Sequence, residues 1–184
     1  PKSGNIYMSL STKKELNYAP LSLLVGIICA NVLSEYIDKG AVGLKWPNDI
    51  VVKNKKIGGI LIEKEVSTNE TTTIVGIGIN FLIDSKEKWW GDLSDFNVNN
   101  KRDQIITMIT SNIINLFDKK NEDWINEWLS YCIHIDKKVK IIKTNNTSED
   151  AIFKSIDQDG CALLETETGI KIFNSGEISI KGVY

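Results

Sequence analysis

Two neighbouring segments constrain this chain more than any other feature: Lys45-Trp46-Pro47-Asn48-Asp49 and Lys56-Ile57-Gly58-Gly59-Ile60-Leu61-Ile62-Glu63. Proline at 47 fixes its own φ and drives Trp46 into an extended conformation. Asn48-Asp49 suits a turn, because both side chains can bond their own backbone. Ile50-Val51-Val52 reads as a strand, Lys53-Asn54-Lys55 as a polar reversal and residues 57–66 as a second strand. A polar-tipped hairpin accounts for the charges but not for Gly58-Gly59 inside an otherwise good strand. Glycine there weakens the strand and marks a bulge or the close approach of another molecule.

A third strand is expected over 71–80, after a turn at Ser67-Thr68-Asn69-Glu70. In Val75-Gly76-Ile77-Gly78-Ile79-Asn80 the side chains alternate between faces. Val75, Ile77 and Ile79 share the face that packs into the core. Gly76, Gly78 and Asn80 share the other, which is bare until the Asn80 carboxamide. Such a face suits either a thin ligand lying on the backbone or a closely packed helix. It is not a dinucleotide fingerprint, since the third glycine is absent and no helix follows. Lys56 and Gly58 have the same parity in the second strand, so Lys56 can hold a positive charge over a ligand carboxylate or phosphate. Taken alone, Lys53, Lys55 and Lys56 read as a solvated turn and Asp49 as a turn residue. Residues 81–100 are polar and irregular around Trp89-Trp90. A loop of that length is more often functional or mobile than structural, and its tryptophans suit a hydrophobic plug or an adenine-stacking lid.

The remaining pattern sets the fold class. Residues 6–11 alternate as a strand. Residues 20–39 predict a helix with Pro20 at its first position and Gly40 just past its end. Its apolar residues fall on nearly every side, which implies burial. Residues 42–46 form a short strand, and 101–118 and 122–133 predict amphipathic helices, the latter with Trp124, Trp128 and Leu129 inward. After Ile135-Asp136 the pattern changes to short strands, separated at Asn145-Asn146, Asp157-Gln158-Asp159-Gly160 and Thr168-Gly169. That spacing suggests a small antiparallel barrel. The expectation is an α+β chain: a mixed β-sheet with packed helices over residues 1–135, then a small barrel over 136–184.

Composition excludes several classes. With 184 residues, 42% apolar and 25% charged, the chain is ordinary for a globular protein. A net charge of −2 gives no support for nucleic-acid or membrane binding. The longest apolar run, 21–33, contains Ser22 and Asn31 and is too short to span a bilayer. No secretory signal is visible in Pro1-Lys2-Ser3-Gly4-Asn5. Cys29, Cys132 and Cys161 are far apart and make no paired motif, so neither a zinc site nor a disulfide framework is expected and a reducing compartment fits. The single histidine, His134, reads as a surface or interdomain residue.

Taken together, the three motifs, in this order and spacing, resemble a biotin protein ligase over nearly the whole chain. Ser175-Gly176-Glu177-Ile178-Ser179-Ile180-Lys181 resembles that family's closing motif in its SH3-like domain. The resemblance implies the class II synthetase-like fold of biotin and lipoate ligases, followed by an SH3-like barrel. It implies a cytoplasmic ligase that uses ATP, with Mg²⁺, to convert biotin to biotinyl-5′-adenylate. Biotin then passes to one lysine of a biotin carboxyl carrier protein domain, as in acetyl-CoA carboxylase. The resemblance makes Lys56 and Asp49 catalytic, with Asp49 holding Mg²⁺-ATP or orienting Lys56. Lys56, Gly58, Gly59, Ile60, Gly76 and Gly78 would bind biotin. Lys45, Asn48, Asn80 and Trp90, with Lys140, Glu177 and Lys181 from the small domain, would bind ATP, Trp90 covering adenine. The family commonly has arginine where Lys181 stands, so bidentate phosphate contact is lost there. The family's Gly/Arg-rich loop and a further biotin-contacting strand would lie upstream of Pro1, making the catalytic region N-terminally truncated. With no winged-helix segment, a DNA-binding role is not expected. A homodimer paired through a sheet edge is left open. The alternatives are a lipoate-type ligase of the same fold and a non-catalytic remnant that binds biotin or a carrier without turnover.

Overall fold

The structure, a computed structural model, describes residues 4–68, 70–84, 87–144 and 146–181. Asn69 and Asn145, both expected in turns, lie outside the described residues. Among the described residues ten strands form two five-stranded sheets, accompanied by three α-helices. The N-terminal sheet contains β1 (Ile6–Thr12), β2 (Val42–Lys45), β3 (Asp49–Val52), β4 (Lys55–Val66) and β5 (Thr71–Ile79), in the order β1-β5-β4-β3-β2. Its ladders are antiparallel throughout, not mixed as expected. Short connections turn β2 to β5 into a meander, and consecutive strands joined by tight turns can only pair antiparallel. Lys53 and Asn54 both take positive φ (48° and 61°), the backbone twist that suits a two-residue hairpin.

Helix α1 (Leu21–Ser34) packs on β2, β3 and β4, and Gly26 brings it close to Leu44 and Ile60. It is buried on nearly every side, as its sequence implies, because α2 (Arg102–Leu116) and α3 (Trp124–Tyr131) flank it. Two expectations about its ends are corrected. Pro20 stands just outside the helix, its carbonyl accepting from the N–H groups of Leu23 and Leu24. The helix ends at Ser34 rather than near 39, because Asp38 adopts an extended conformation and caps a separate 3₁₀ turn, Lys39–Ala41, through the Gly40 N–H.

The C-terminal sheet contains β6 (Lys138–Lys143), β7 (Ser148–Ile156), β8 (Ala162–Thr166), β9 (Gly169–Phe173) and β10 (Ile178–Lys181), in the order β10-β6-β7-β8-β9. The strands are those expected, but β9 and β10 remain the two edges, so the barrel is not closed. The sheets meet at the segment after α3. Ile133 N–H donates to the Leu44 carbonyl at 3.0 Å, and a Cβ on Gly43 would come within 2.3 Å of Ile133. One apolar core runs through both sheets.

Candidate functional site

The helices cover one face of the N-terminal sheet, and the register dictates what stands on the other. Tyr7 pairs with Gly78, Gly78 with Gly59, Gly59 with Asp49, and Asp49 with Lys45. Directly opposed residues of antiparallel strands point to the same side. A row of side chains therefore crosses the open face, with two glycines between an aromatic ring and a charged pair. A Cβ on Gly78 would touch the Tyr7 ring at 3.6 Å; one on Gly59 would lie 3.8 Å from the Asp49 carboxylate and from Lys56 Cε. Gly76 lies one step along the same face, beside Leu61. Tyr7 and Leu61 are exposed apolar side chains on this face.

Lys56 reaches the row through an irregularity. Val51 pairs with Lys56 and Ile50 with Gly58, so Ile57 is an extra residue in β4. That bulge puts Lys56 on the side of Gly59. The parity expected from sequence, Lys56 with Gly58, is thereby corrected. Gly58 and Ile60 face the helices instead. Ile60 is buried against Gly26, and a Cβ on Gly58 would come 2.3 Å from the Gly78 carbonyl oxygen. Gly58 thus serves the close approach of the chain's own backbone, and neither residue lines the open face.

Asp49 sits between two cations. Lys56 Nζ lies 2.5 Å from one carboxylate oxygen and Lys45 Nζ 3.6 Å from the other. The side chains of Lys45 and Asp49 are only 11% exposed, and that of Lys56 31%. Burial pushes the Lys45 ammonium below its usual range; Asp49 opposes the shift, while Lys56 and Lys181 add to it. Lys45, Asp49 and Lys56, with Trp89, Ser179, Ile180 and Lys181, line a cavity of about 500 Å³ between the open face and β10. Three ammonium groups around one carboxylate give the cavity a net positive charge, which suits an anionic ligand. Among the described residues no cluster of three His, Cys, Asp or Glu side chains could hold a metal ion.

The other expected contacts divide. Lys181 lines the cavity, and Lys140 stands directly opposite it across the β6–β10 pair. Glu177 accepts the Asn174 N–H in the turn before β10 and does not reach the lining. Asn48 is a clamp: its amide donates to the Ile60 carbonyl at 2.8 Å, and its own carbonyl accepts the Ile60 N–H. Asn80 donates from its side chain to the Gly91 carbonyl, tying the following loop to the sheet. That loop is further held by Asp92, which accepts from Ile83 and Ser94, and by a short parallel bridge between Lys56 and Trp90. The two tryptophans meet edge to face at 5.2 Å but serve different hollows. Trp89 lines the charged cavity. Trp90, expected to be the lid, lines a neighbouring hollow with Lys53, Lys55 and Phe96. Sequence reasoning missed Ser179, although it shares a strand parity with Lys181. It missed Tyr7 because nothing local announces that Tyr7 pairs with Gly78.

Residues 1–80 match the model of the Biotin/lipoate A/B protein ligase family, and residues 134–181 match that of the Biotin protein ligase C terminal domain. The Bifunctional ligase/repressor BirA of Escherichia coli (strain K12) is 30% identical, over 98% of this chain and 60% of that protein. The corresponding Bacillus subtilis protein is 26% identical, over 97% of this chain and 59% of its own length. The chain thus spans about 60% of the length of these curated relatives. Biotin protein ligase from Aquifex aeolicus in complex with biotin and ATP superposes with a TM-score of 0.75 at 26% identity, over 97% of this chain and 78% of that one.

Proposed function

Because the chain belongs to the biotin/lipoate protein ligase family, we propose that it joins biotin to AMP and passes biotin on to a carrier lysine. The observation that carries this reading is the pair of lysines closed on Asp49 at the end of a row of glycines. A biotin carboxylate must approach the α-phosphate of ATP against Coulomb repulsion. Lys56 stands where it can meet both anions. Its ammonium stabilises the charge that grows on the α-phosphoryl oxygens as the carboxylate attacks phosphorus and pyrophosphate leaves. The ε-amine of a carrier lysine then attacks the carbonyl of the mixed anhydride; AMP leaves and an amide remains. Asp49 holds Lys56 and Lys45 in place.

Gly59, Gly78 and Gly76 form the floor on which the biotin rings lie, bounded by Tyr7 and Leu61. Lys45 and Lys181 face the phosphates, and Trp89 covers the cavity beside them. Asp49 is shared by two lysines, so magnesium would enter with the nucleotide, as part of the substrate. The C-terminal domain match favours biotin over lipoate as the acid, and the carrier is a biotin carboxyl carrier domain. We place the division between the two domains at 135/136. No helix among the described residues is long and apolar enough to cross a membrane.

Biotin-dependent ATP–pyrophosphate exchange tests the reading. Lys56→Ala should lower the exchange rate about 10²–10³-fold, as loss of one preorganised charge-stabilising group does elsewhere. Exchange unaffected by that substitution removes Lys56 from its role. Exchange driven by lipoate in place of biotin reassigns the substrate, and biotin binding without exchange leaves a binding module.

A further inference from the structure

Trp46 is held at both ends by the C-terminal part of the chain. Its indole N–H donates to the Gly160 carbonyl at 2.9 Å, and its backbone N–H points to His134 Nε2 at 3.4 Å. We propose that His134 and Gly160 are positioning residues: they clamp Trp46 and thereby set Lys45 and Asp49, the residues flanking the Trp46-Pro47-Asn48 turn.

Gly160 fits its place narrowly. It has φ of +74°, and a Cβ there would come 2.5 Å from Pro20 Cγ and 2.9 Å from Leu23 Cδ1. The β7–β8 turn is therefore pressed against the start of α1 with its carbonyl directed at the indole. His134 is fully buried, edge to face with both Phe153, at 4.2 Å, and Trp128, at 6.3 Å. In that aromatic setting an apolar ring would pack as well. Moreover, among the described residues His134 Nδ1 has no hydrogen-bond partner. An unpartnered buried polar atom carries a cost that a mere packing residue would avoid. The histidine has a use that offsets this cost, namely Nε2 as acceptor for the Trp46 N–H. That hydrogen bond assigns the ring proton to Nδ1. Burial, with Lys45 and Lys137 adding to it, lowers the His134 pKa to about 3, so the acceptor is never protonated near neutrality. Lys45 and Asp49 are paired across the β2–β3 turn that Trp46 opens, and a slackened Trp46 moves both partners of the 3.6 Å contact.

This inference rests on the ligase reading for its activity assay but not for its structural one. Trp46→Phe removes the indole donor and keeps a ring; His134→Phe removes the acceptor; His134→Gln keeps one; Gly160→Ala displaces the carbonyl. Trp46→Phe, His134→Phe and Gly160→Ala should lower kcat for biotin-dependent exchange about 10–100-fold, the scale of an ångström's misplacement. KM for biotin should stay within about twofold, because the glycine row is untouched. His134→Gln should recover part of kcat. Backbone amide hydrogen exchange over 45–49 should speed up in the three damaging variants. Variants that only melt earlier, with kcat and amide protection as in the wild type, would show that these residues merely pack and overturn the proposal. If the wild-type protein has no biotin-dependent exchange, the ligase reading fails. Amide protection over 45–49 then decides the clamp alone, and unchanged protection rejects it.

Discussion

Gly58 and Gly59 are adjacent and chemically identical, yet alanine should do opposite things at the two positions. At Gly58 the new methyl would sit 2.3 Å from the Gly78 carbonyl oxygen and 3.3 Å from Ile79 Cα. Ordinary contact begins near 3.4 Å, so about an ångström of overlap must be relieved by backbone, because no flexible side chain lies in the way. Forcing extra volume into a packed interior costs about 1–3 kcal/mol. For a chain of this length that lowers the melting temperature by about 2–12 °C. At Gly59 the nearest atoms are 3.8 Å away, and they include the Asp49 carboxylate and Lys56. The methyl there makes only ordinary van der Waals contacts on the open face of the sheet. Its effect on stability should be within about 0.5 kcal/mol, while it occupies the floor on which the ligand is proposed to lie. Calorimetric melting and biotin titration of both variants separate the two effects. Gly58→Ala should melt early. Gly59→Ala should melt normally and bind biotin at least about tenfold more weakly, consistent with about 1.4 kcal/mol or more of lost contact. Equal melting losses in the two variants, or a neutral Gly58→Ala, would refute the assignment of opposite faces.

Asp49→Asn leaves two nearby lysines without their shared carboxylate. Breaking a pair as buried as Lys45–Asp49 should cost about 3 kcal/mol in urea unfolding at neutral pH, and an unchanged midpoint would show that the pair is dispensable. Stability should also depend on pH through His134, whose folded pKa of about 3 lies below the ordinary 6.5. The unfolded chain takes up a proton that the folded one refuses. The contribution is therefore fully present above pH 6.5 and is lost as pH falls toward 3, with a slope approaching about 1.4 kcal/mol per pH unit. His134→Phe should flatten the urea-midpoint profile between pH 6.5 and 5, and parallel profiles would contradict the buried neutral ring. Trp89→Ala should weaken nucleotide binding more than Trp90→Ala, measured by calorimetry with ATP; the reverse order would restore Trp90 as the lid.

The strands of both sheets are legible from alternation, β-branched runs and turn spacing, and α1 from a run apolar on nearly every side. What could not be read was anything set by a partner. A strand's own sequence does not say which residue is skipped in its neighbour's ladder, so parity alone puts Lys56 on the face of Gly58. The number of short strands after 135 was legible, but barrel closure depends on whether β9 and β10 meet, and no residue in either announces that. No local pattern separates Trp89 from Trp90; with Trp90 bridged to Lys56, Trp89 lines the charged cavity and Trp90 its neighbour. A single histidine offers no spacing to interpret, and its use emerges only where Trp46 and Phe153 converge on it.

The face taken by Lys56 turns on one residue, Ile57. Its insertion in β4 turns Lys56 toward Asp49, and its position is fixed from three sides. Downstream, Asn48 holds both backbone groups of Ile60. Upstream, Lys56 N–H donates to the Trp89 carbonyl, and Gly91 N–H donates to the Lys56 carbonyl. Across the sheet, Asn80 N–H donates to the Ile57 carbonyl at 2.7 Å. Asn48 and Asn80, expected to touch nucleotide, thus hold the ladder in the one register that brings the ammonium to the carboxylate. A one-residue slip would reverse the face of every side chain that follows. The two asparagines therefore belong to the site's chemistry through geometry, by deciding where the charge of Lys56 stands.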